Sequence, residues 1–271
     1  MLLITSQRLW WQLDLVELWS CRELLRTLIA RDIKVRYKQT WLGVSWAILQ
    51  PLLAAGIFTL FFSRLLSTEL TGEINYGAFV LTGFVFWQFF SGALTTASTS
   101  LAEQIGLLGK VYFPRLFLPL TVIGRCLFDF SITFICLIVV LTVTGTPFYW
   151  LGLLWSLLCL VSLTLLLLGL VAFFSALNVK YRDVKHILPF LIQIGLFISP
   201  VFYSDSILPK NLQWLGAINP LAVILNLIRQ GLFSAHFDWA SWGIISTISL
   251  LIAFGGLVFF KNNEQHFVDI A

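Results

Sequence analysis

Charge is scarce in this sequence. Charged residues make up 11% of the chain and hydrophobic residues 59%, whereas about a quarter of the residues in a soluble domain are charged. A chain with a mean hydropathy of +0.91 has too little polar surface to cover a soluble globule. The composition therefore predicts a membrane protein whose surface contacts membrane lipids.

The positive net charge does not indicate a nucleic-acid partner. The formal charge is +4, but the Lys and Arg residues lie at the edges of apolar runs, where membrane topology places them. A basic strip beside a membrane also favours an anionic cytoplasmic leaflet. We therefore expect no nucleic acid among the partners.

Residues that bind metals or catalyse reactions are also few. The four cysteines show no CxxC spacing and three lie inside apolar runs, which is typical of buried thiols rather than of a disulfide or a metal site. The three histidines are far apart in the sequence. A membrane enzyme should display clustered carboxylates or histidines, so we expect no metal site, no catalytic residue and no enzymatic activity.

A complete phosphate-binding loop is missing as well. The stretch "GLLGKV" (106–111) resembles part of one, but its glycines are three apart and Val follows the lysine, whereas the loop requires GxxxxGK[ST]. The sequence therefore predicts no cofactor bound by this chain. We also find no signal peptide, since the first long apolar run begins only near Leu42.

Long apolar runs are what the sequence does have. A membrane-spanning helix needs about 20 apolar residues, and six stretches approach this length: roughly 42–62, 78–99, 117–143, 150–176, 187–203 and 239–260. We predict an all-α polytopic membrane protein in which residues 1–271 form one transmembrane domain. Six spans place most of the 17 Lys and Arg residues on one side, so both termini are expected in the cytoplasm.

Three connecting segments are predicted to be structured. Residues 15–36 show apolar positions at helical spacing with basic residues beside them, which predicts an amphipathic helix in the membrane interface. Residues 100–115 begin with Ser100 and Glu103 at capping-box spacing, which predicts a short cytoplasmic helix; an ordinary basic loop is the alternative. Residues 204–238 are apolar but interrupted by Pro and Gly, which favours re-entrant helices on the outer side.

Two charges lie within the third predicted span. Arg125 and Asp129 are four residues apart, so on a helix they share a face and can form an ion pair. Charges at this depth usually face a bundle interior or a water-filled path. The pair either joins neighbouring helices or belongs to such a path, and one carboxylate offers little support for an ion-coupled transporter.

Aromatic residues make up 15% of the chain. Packing and interfacial belts explain most of them, but aromatic rings can also stack on the C–H faces of sugars along a transport path. Our candidates for a substrate path lie in or near the first, second and fifth spans: Trp41, Trp46, Phe58, Tyr76, Phe86, Trp87, Phe90, Phe197 and Tyr203.

Several stretches together resemble a known family. They are "RDIKVRYKQTWLGVSWAILQPLL", "GKVYFPRLFLPL", "NVKYRDVKHILPF", "SPVFYS" and "NPLAVILNLIRQ". They are similar to the membrane (permease) subunit of ATP-binding-cassette exporters of surface polysaccharide, of the O-antigen type. The resemblance extends over about residues 20–262 and implies a channel-forming subunit that moves a lipid-linked glycan outward across the bacterial inner membrane.

The resemblance also implies partners. The chain would form a homodimer paired with two copies of a separate ATPase subunit, which binds ATP and Mg. The 204–238 segment would form the outer gate. The residues implied to contact the ATPase are Arg31, Asp32, Lys34, Arg36, Lys110, Tyr112, Phe113, Arg115, Tyr181, Arg182 and Asp183. The resemblance does not decide the cargo. It can be an O-antigen, a capsule polymer or a teichoic acid, and drugs or other lipids are further alternatives.

Overall fold

The computed structural model describes residues 19–38, 45–66, 75–103, 114–181, 183–204 and 213–264. All regular secondary structure within these segments is helical, which confirms the predicted all-α class for this part of the chain. The helices are α1 (Arg22–Lys38), α2 (Ser45–Leu66), α3 (Tyr76–Glu103), α4 (Phe117–Val143), α5 (Trp150–Lys180), α6 (Val184–Ile198), α7 (Gln213–Ile218), α8 (Pro220–Ser234) and α9 (Trp239–Asn263).

Four helices have the length and composition of membrane spans. They are α3, α4, α5 and α9, with 28, 27, 31 and 25 residues. At about 1.5 Å per residue each is longer than the roughly 30 Å hydrocarbon core. The second, third, fourth and sixth predicted spans therefore coincide with helices that can cross a bilayer.

The first and fifth predicted spans correspond to shorter apolar helices. The apolar part of α2 is Ser45–Phe61, and α6 has 15 residues. α6 continues through Pro189 and ends at Ile198, just before Pro200. Its length is about 22 Å at the standard helical rise, which is less than the bilayer core, so the count of six spans stays a prediction.

The helix bundle has two ends, and each is marked by contacts between helices. At one end, Leu101 of α3, Leu118 of α4, Val179 of α5 and Phe260 of α9 pack in one cluster. At the opposite end, the backbone N–H of Tyr149 donates to the carbonyl of Leu232 at 2.8 Å. α3, α5 and α9 therefore run towards the first end, and α4 runs away from it. We call the first end the basic end, because α1 and the Lys and Arg residues of the nearby connections lie towards it.

Single glycines bring α5 and α9 into close contact. A Cβ atom added at Gly256 would lie 2.1 Å from the carbonyl oxygen of Gly169. Nearby, the hydroxyls of Ser162 and Ser246 are 2.8 Å apart. Small residues of this kind allow membrane helices to approach closely, although the sequence contains no GxxxG pair.

The interrupted segment contains two short helices, α7 and α8. α8 starts with Asn219 as its N-cap, whose side chain accepts from the N–H of Leu221 at 3.1 Å, and most of its side chains are buried against neighbouring helices. Interrupted helices at membrane depth must be covered by protein, and α8 meets this requirement. The re-entrant path itself stays a prediction, since residues 205–212 lie outside the described residues.

The predicted start of a coupling helix at Ser100 is wrong. Residues 100–103 are instead the last turn of α3, and the Ser100 hydroxyl donates to the carbonyl of Ala97 at 2.7 Å inside that helix. The apolar face of α3 continues through fully buried Leu101, so packing extends the helix past the apparent cap. The remainder of the segment, residues 104–113, lies outside the described residues.

Candidate functional site

The amphipathic helix α1 lies against α4. Ile29 of α1 contacts α4 at Gly124, where an added Cβ would lie 2.6 Å from the Ile29 Cδ1 atom. None of the residues of α1 is fully buried, and Arg31 and Lys34 are exposed. α1 is therefore a helix on the bundle surface with an apolar inner side. It overlaps the helix predicted at 15–36 from Arg22 onward; residues 15–18 lie outside the described residues, and the position in the membrane interface stays a prediction.

Asp129 of α4 joins the C-terminal end of α1 to the bundle. Its Oδ2 atom lies 3.4 Å from Nη2 of Arg36, and its Oδ1 atom accepts a hydrogen bond from the Tyr37 hydroxyl. Burial raises the pKa of Tyr37, and the neighbouring Asp129 carboxylate raises it further. Tyr37 therefore stays a neutral donor to the carboxylate over the whole physiological pH range.

The predicted ion pair between Arg125 and Asp129 is wrong. Within the described residues no oxygen of Asp129 lies within ion-pair distance of Arg125, and the carboxylate is occupied by the two side chains from α1. Nε of Arg125 is buried and makes no hydrogen bond in the described part of the chain. Both residues do lie on α4, but their spacing carries no information about a partner 92 residues away in the sequence.

A polar cleft of about 190 Å³ opens between α2, α3 and α4. Gln50 of α2 and Gln88 of α3 face each other across it, and Nε2 of Gln88 donates to Oε1 of Gln50 at 3.1 Å. Oε1 of Gln88 is buried and has no hydrogen bond to the described residues. Arg36 and Asp129 also line the cleft. Unsatisfied polar groups at membrane depth are costly and usually functional.

A basic groove of about 460 Å³ runs along the outer side of α1. Arg31, Lys34 and Lys38 contribute three positive charges to it, and Arg31 also pairs with the adjacent Asp32 at 2.9 Å. The remaining lining residues are Thr27, Ala30 and Val35. Such a surface suits an acidic protein partner or anionic lipid headgroups.

The other predicted ATPase contacts lie in separate places. The Arg115 guanidinium donates to the carbonyl of Glu264, just past the end of α9, where a cation stabilises helix carbonyls. Tyr181 and Asp183 are exposed on the short connection between α5 and α6. The further candidates Lys110, Tyr112, Phe113 and Arg182 lie outside the described residues.

Most of the aromatic path candidates are packing residues. Phe86 is completely buried and contacts the rings of Phe130 and Phe134, so it is a packing residue in this structure and its assignment to a substrate path stays a prediction. Tyr76, Trp87 and Phe90 are buried as well. Phe58 is half-buried and stacks on Phe202 at 3.7 Å, and the half-buried Tyr203 donates to the carbonyl of Phe197 at 2.7 Å. Trp46 and Phe197 are exposed, and Trp41 lies outside the described residues.

Sequence reasoning missed the buried arginine of α8. Arg229 is 4% exposed, and its guanidinium donates to the carbonyls of Val201 at 2.7 Å, Phe79 at 3.3 Å, and Pro200. It also stacks on the Phe79 ring at 3.5 Å. The available signal was its position as the single charge in the apolar stretch 219–233. Gln50 and Gln88 carry the same signal, because each is an isolated polar residue in an apolar run, whereas Tyr37 lies in the basic strip between Arg36 and Lys38.

Comparison with known proteins gives consistent matches. The family described as ABC-2 type transporter matches residues 23–233. An O-antigen export system permease protein of Klebsiella pneumoniae is 27% identical over 250 residues, covering 92% of this chain and 95% of the relative. One of Myxococcus xanthus is 27% identical, with 93% and 97% covered. A polysialic acid transport protein of Escherichia coli is 26% identical, with 89% and 93% covered.

Proposed function

Because the chain belongs to the ABC-2 type transporter family, we propose that it is the permease subunit of an ATP-driven exporter of a surface polysaccharide. The observation that carries this proposal is the similarity to O-antigen export permeases of two genera along nearly the whole of both chains. The four long apolar helices supply the membrane-spanning body that such a permease needs.

ATP and Mg would be bound by a separate ATPase subunit, since the sequence contains no GxxxxGK[ST] motif. The basic groove of α1 is the surface that we assign to this partner, together with the exposed connection at Tyr181 and Asp183. Closure of the ATPase around ATP would then move α1 against α4 and change the relative populations of the closed and open states.

The exporter would lie in the bacterial inner membrane with the basic end in the cytoplasm. The Lys and Arg residues of α1, of the α5–α6 connection and of the end of α9 support this orientation. It places both termini in the cytoplasm. α8 then lies towards the outer face, where it would form the outer gate.

The functional unit would contain two copies of the permease and two of the ATPase. Gln193 is exposed near the middle of the apolar helix α6, and an amide facing lipid at that depth is unfavourable. A second copy of this chain would cover it. The mass of the purified exporter tests this stoichiometry: two copies of each subunit are expected, and a single permease copy would contradict it.

The cargo that we propose is a lipid-linked glycan of the O-antigen type. The polysialic acid transport relative favours a capsule polymer as the second candidate. Teichoic acid, drugs and other lipids are the remaining alternatives, and no relative named above supports them.

Deletion of the gene for this chain tests the proposal. We expect surface polysaccharide to disappear and lipid-linked glycan to accumulate inside the cell, with recovery when the intact chain is supplied from a plasmid. Loss of the phosphate-loop lysine of the ATPase partner should have the same effect. Normal surface polysaccharide after deletion would overturn the proposal, and accumulation of a glycan without a lipid anchor would overturn its lipid-linked form.

A further inference from the structure

We infer that the cleft between α2, α3 and α4 is a subsite for one neutral sugar unit of the cargo. This inference rests on the proposed function and makes it more specific. It replaces the aromatic path predicted from the sequence with a polar site, in which Gln50, Gln88 and Asp129 are the hydrogen-bonding groups.

The charge of the cleft favours a neutral ligand. Arg36 and Asp129 both line it, and their side chains are paired with each other at 3.4 Å. The pair contributes opposite charges and Arg125 does not line the cleft, so the lining itself carries no net charge. It still offers both hydrogen-bond donors and acceptors, which sugar hydroxyls can use at the same time.

The amide groups argue against an apolar cargo. Oε1 of Gln88 is buried and has no hydrogen bond in the described part of the chain, while its Nε2 is already bound to Gln50. An apolar molecule in the cleft would gain nothing from this acceptor. A sugar hydroxyl can donate to it once the Gln88 side chain turns towards the cleft, and this favours a sugar over a drug or a lipid tail.

The apolar part of the cleft leaves space for the carbon face of a sugar ring at Gly92, where a Cβ would meet nothing within 4 Å. Phe89 and Phe130 also line the cleft, but each is 4% exposed and they pack on each other, with ring centroids 5.4 Å apart. At roughly 30 Å³ of liquid volume per water molecule, the cleft of about 190 Å³ has room for one sugar ring but not for several. A polymer would therefore occupy the subsite one unit at a time.

The position of α1 also controls this subsite. Arg36 belongs to α1 and lines the cleft, and Tyr37 of the same helix binds the cleft residue Asp129. A displacement of α1 would move the guanidinium away from the cleft and release the carboxylate for a sugar hydroxyl. Coupling between the ATPase and the cargo would therefore pass through these three side chains.

Gly92 provides the test, because it lines the cleft and the structure leaves open space at its Cβ position. A Cβ at Gly92 has nothing within 4 Å, and the same holds for Gly243 in α9, which does not line the cleft. In the full exporter in cells, we expect Gly92→Leu to reduce surface polysaccharide at least tenfold at unchanged membrane abundance. Gly243→Leu should export normally, and Gly92→Ala should lose less than twofold.

A second variant removes the amide group of Gln88 and keeps the volume of its side chain. Gln88→Met preserves the length of the side chain but lacks the amide, and we expect a severalfold loss of export. If Gly92→Leu fails to accumulate in the membrane, Gln88→Met and Gly92→Ala decide the question. Normal export by Gln88→Met, or losses that only follow protein abundance, would overturn the subsite.

The controls separate this inference from the proposed function. If deletion of the gene abolishes surface polysaccharide but Gly92→Leu restores it fully, the exporter assignment stands and the subsite is wrong. If deletion leaves surface polysaccharide unchanged, the exporter assignment itself is wrong. Rhodamine 6G efflux by the intact exporter that Gly92→Leu blocks would place a lipophilic drug cation in the cleft and overturn the sugar assignment.

Discussion

At the scale of single residues, Asp129 is the most informative position. We expect Asp129→Asn to loosen the docking of α1 on α4, because it removes the charge that holds both Arg36 and Tyr37. Arg36 is 44% exposed, so solvent screening limits the effect to about 1 kcal/mol. Hydrogen exchange of the α1 amides should become about fivefold faster. Asp32→Asn is the control, since Asp32 pairs within α1, and an equal effect there would contradict the assignment.

Arg229 is expected to be important for stability. Arg229→Leu leaves the carbonyls of Val201 and Pro200 without their donor inside the bundle, which should cost on the order of 3 kcal/mol. Arg229→Lys should recover only part of this loss, because an ammonium lacks the planar fork of the guanidinium. Thermal unfolding of the purified protein measures both. Unchanged unfolding temperature for Arg229→Leu would show that these bonds contribute little.

Single residues also show which contacts the sequence could not predict. The four-residue spacing of Arg125 and Asp129 correctly placed both on α4, since helical periodicity is local. It could not reveal Arg36 and Tyr37 as partners, because their proximity depends on how α1 packs on α4. Phe86 and Trp46 are both aromatic residues of apolar helices, yet one is fully buried and the other exposed. Composition alone does not separate them.

At the scale of elements, the crossing of α5 and α9 offers a matched pair of adjacent positions. Gly256→Ala would place its Cβ 2.1 Å from the backbone oxygen of Gly169, whereas Gly255 has nothing within 4 Å. We expect Gly256→Ala to cost about 1–3 kcal/mol and to lower the thermal unfolding temperature. Gly255→Ala should be neutral or slightly stabilising, because alanine favours helix. Equal behaviour of the two variants would contradict the close crossing.

The helices were predicted better than their ends. The spans predicted at 117–143 and 150–176 correspond closely to α4 and α5, because long apolar runs indicate membrane helices directly. Ser100 and Glu103 had the spacing of a helix start but lie in the last turn of α3. A capping box is a weak local signal, and the burial of Leu101 against its neighbours outweighs it. The boundary therefore depended on tertiary packing that the local pattern does not contain.

At the scale of the whole molecule, the orientation in the membrane can be measured. Single cysteines at Arg31 and Lys185 should be protected from a membrane-impermeant maleimide in intact cells, and labelled after lysis. Cysteines at Thr144 and His236 should react in intact cells. All four positions are exposed, so protection would reflect the membrane barrier, and variants lacking the native cysteines provide the background. Reaction of Arg31→Cys and Thr144→Cys from the same side would contradict the arrangement.

The glycine contact between α5 and α9 has a consequence for how transport proceeds. Two helices whose backbones touch cannot slide past each other without separating, so this pair forms a fixed frame. α1, α2 and α6 have largely exposed surfaces and can shift with less loss of packing. The motion that carries cargo outward therefore falls to the periphery of the subunit, while the frame keeps its shape through every cycle.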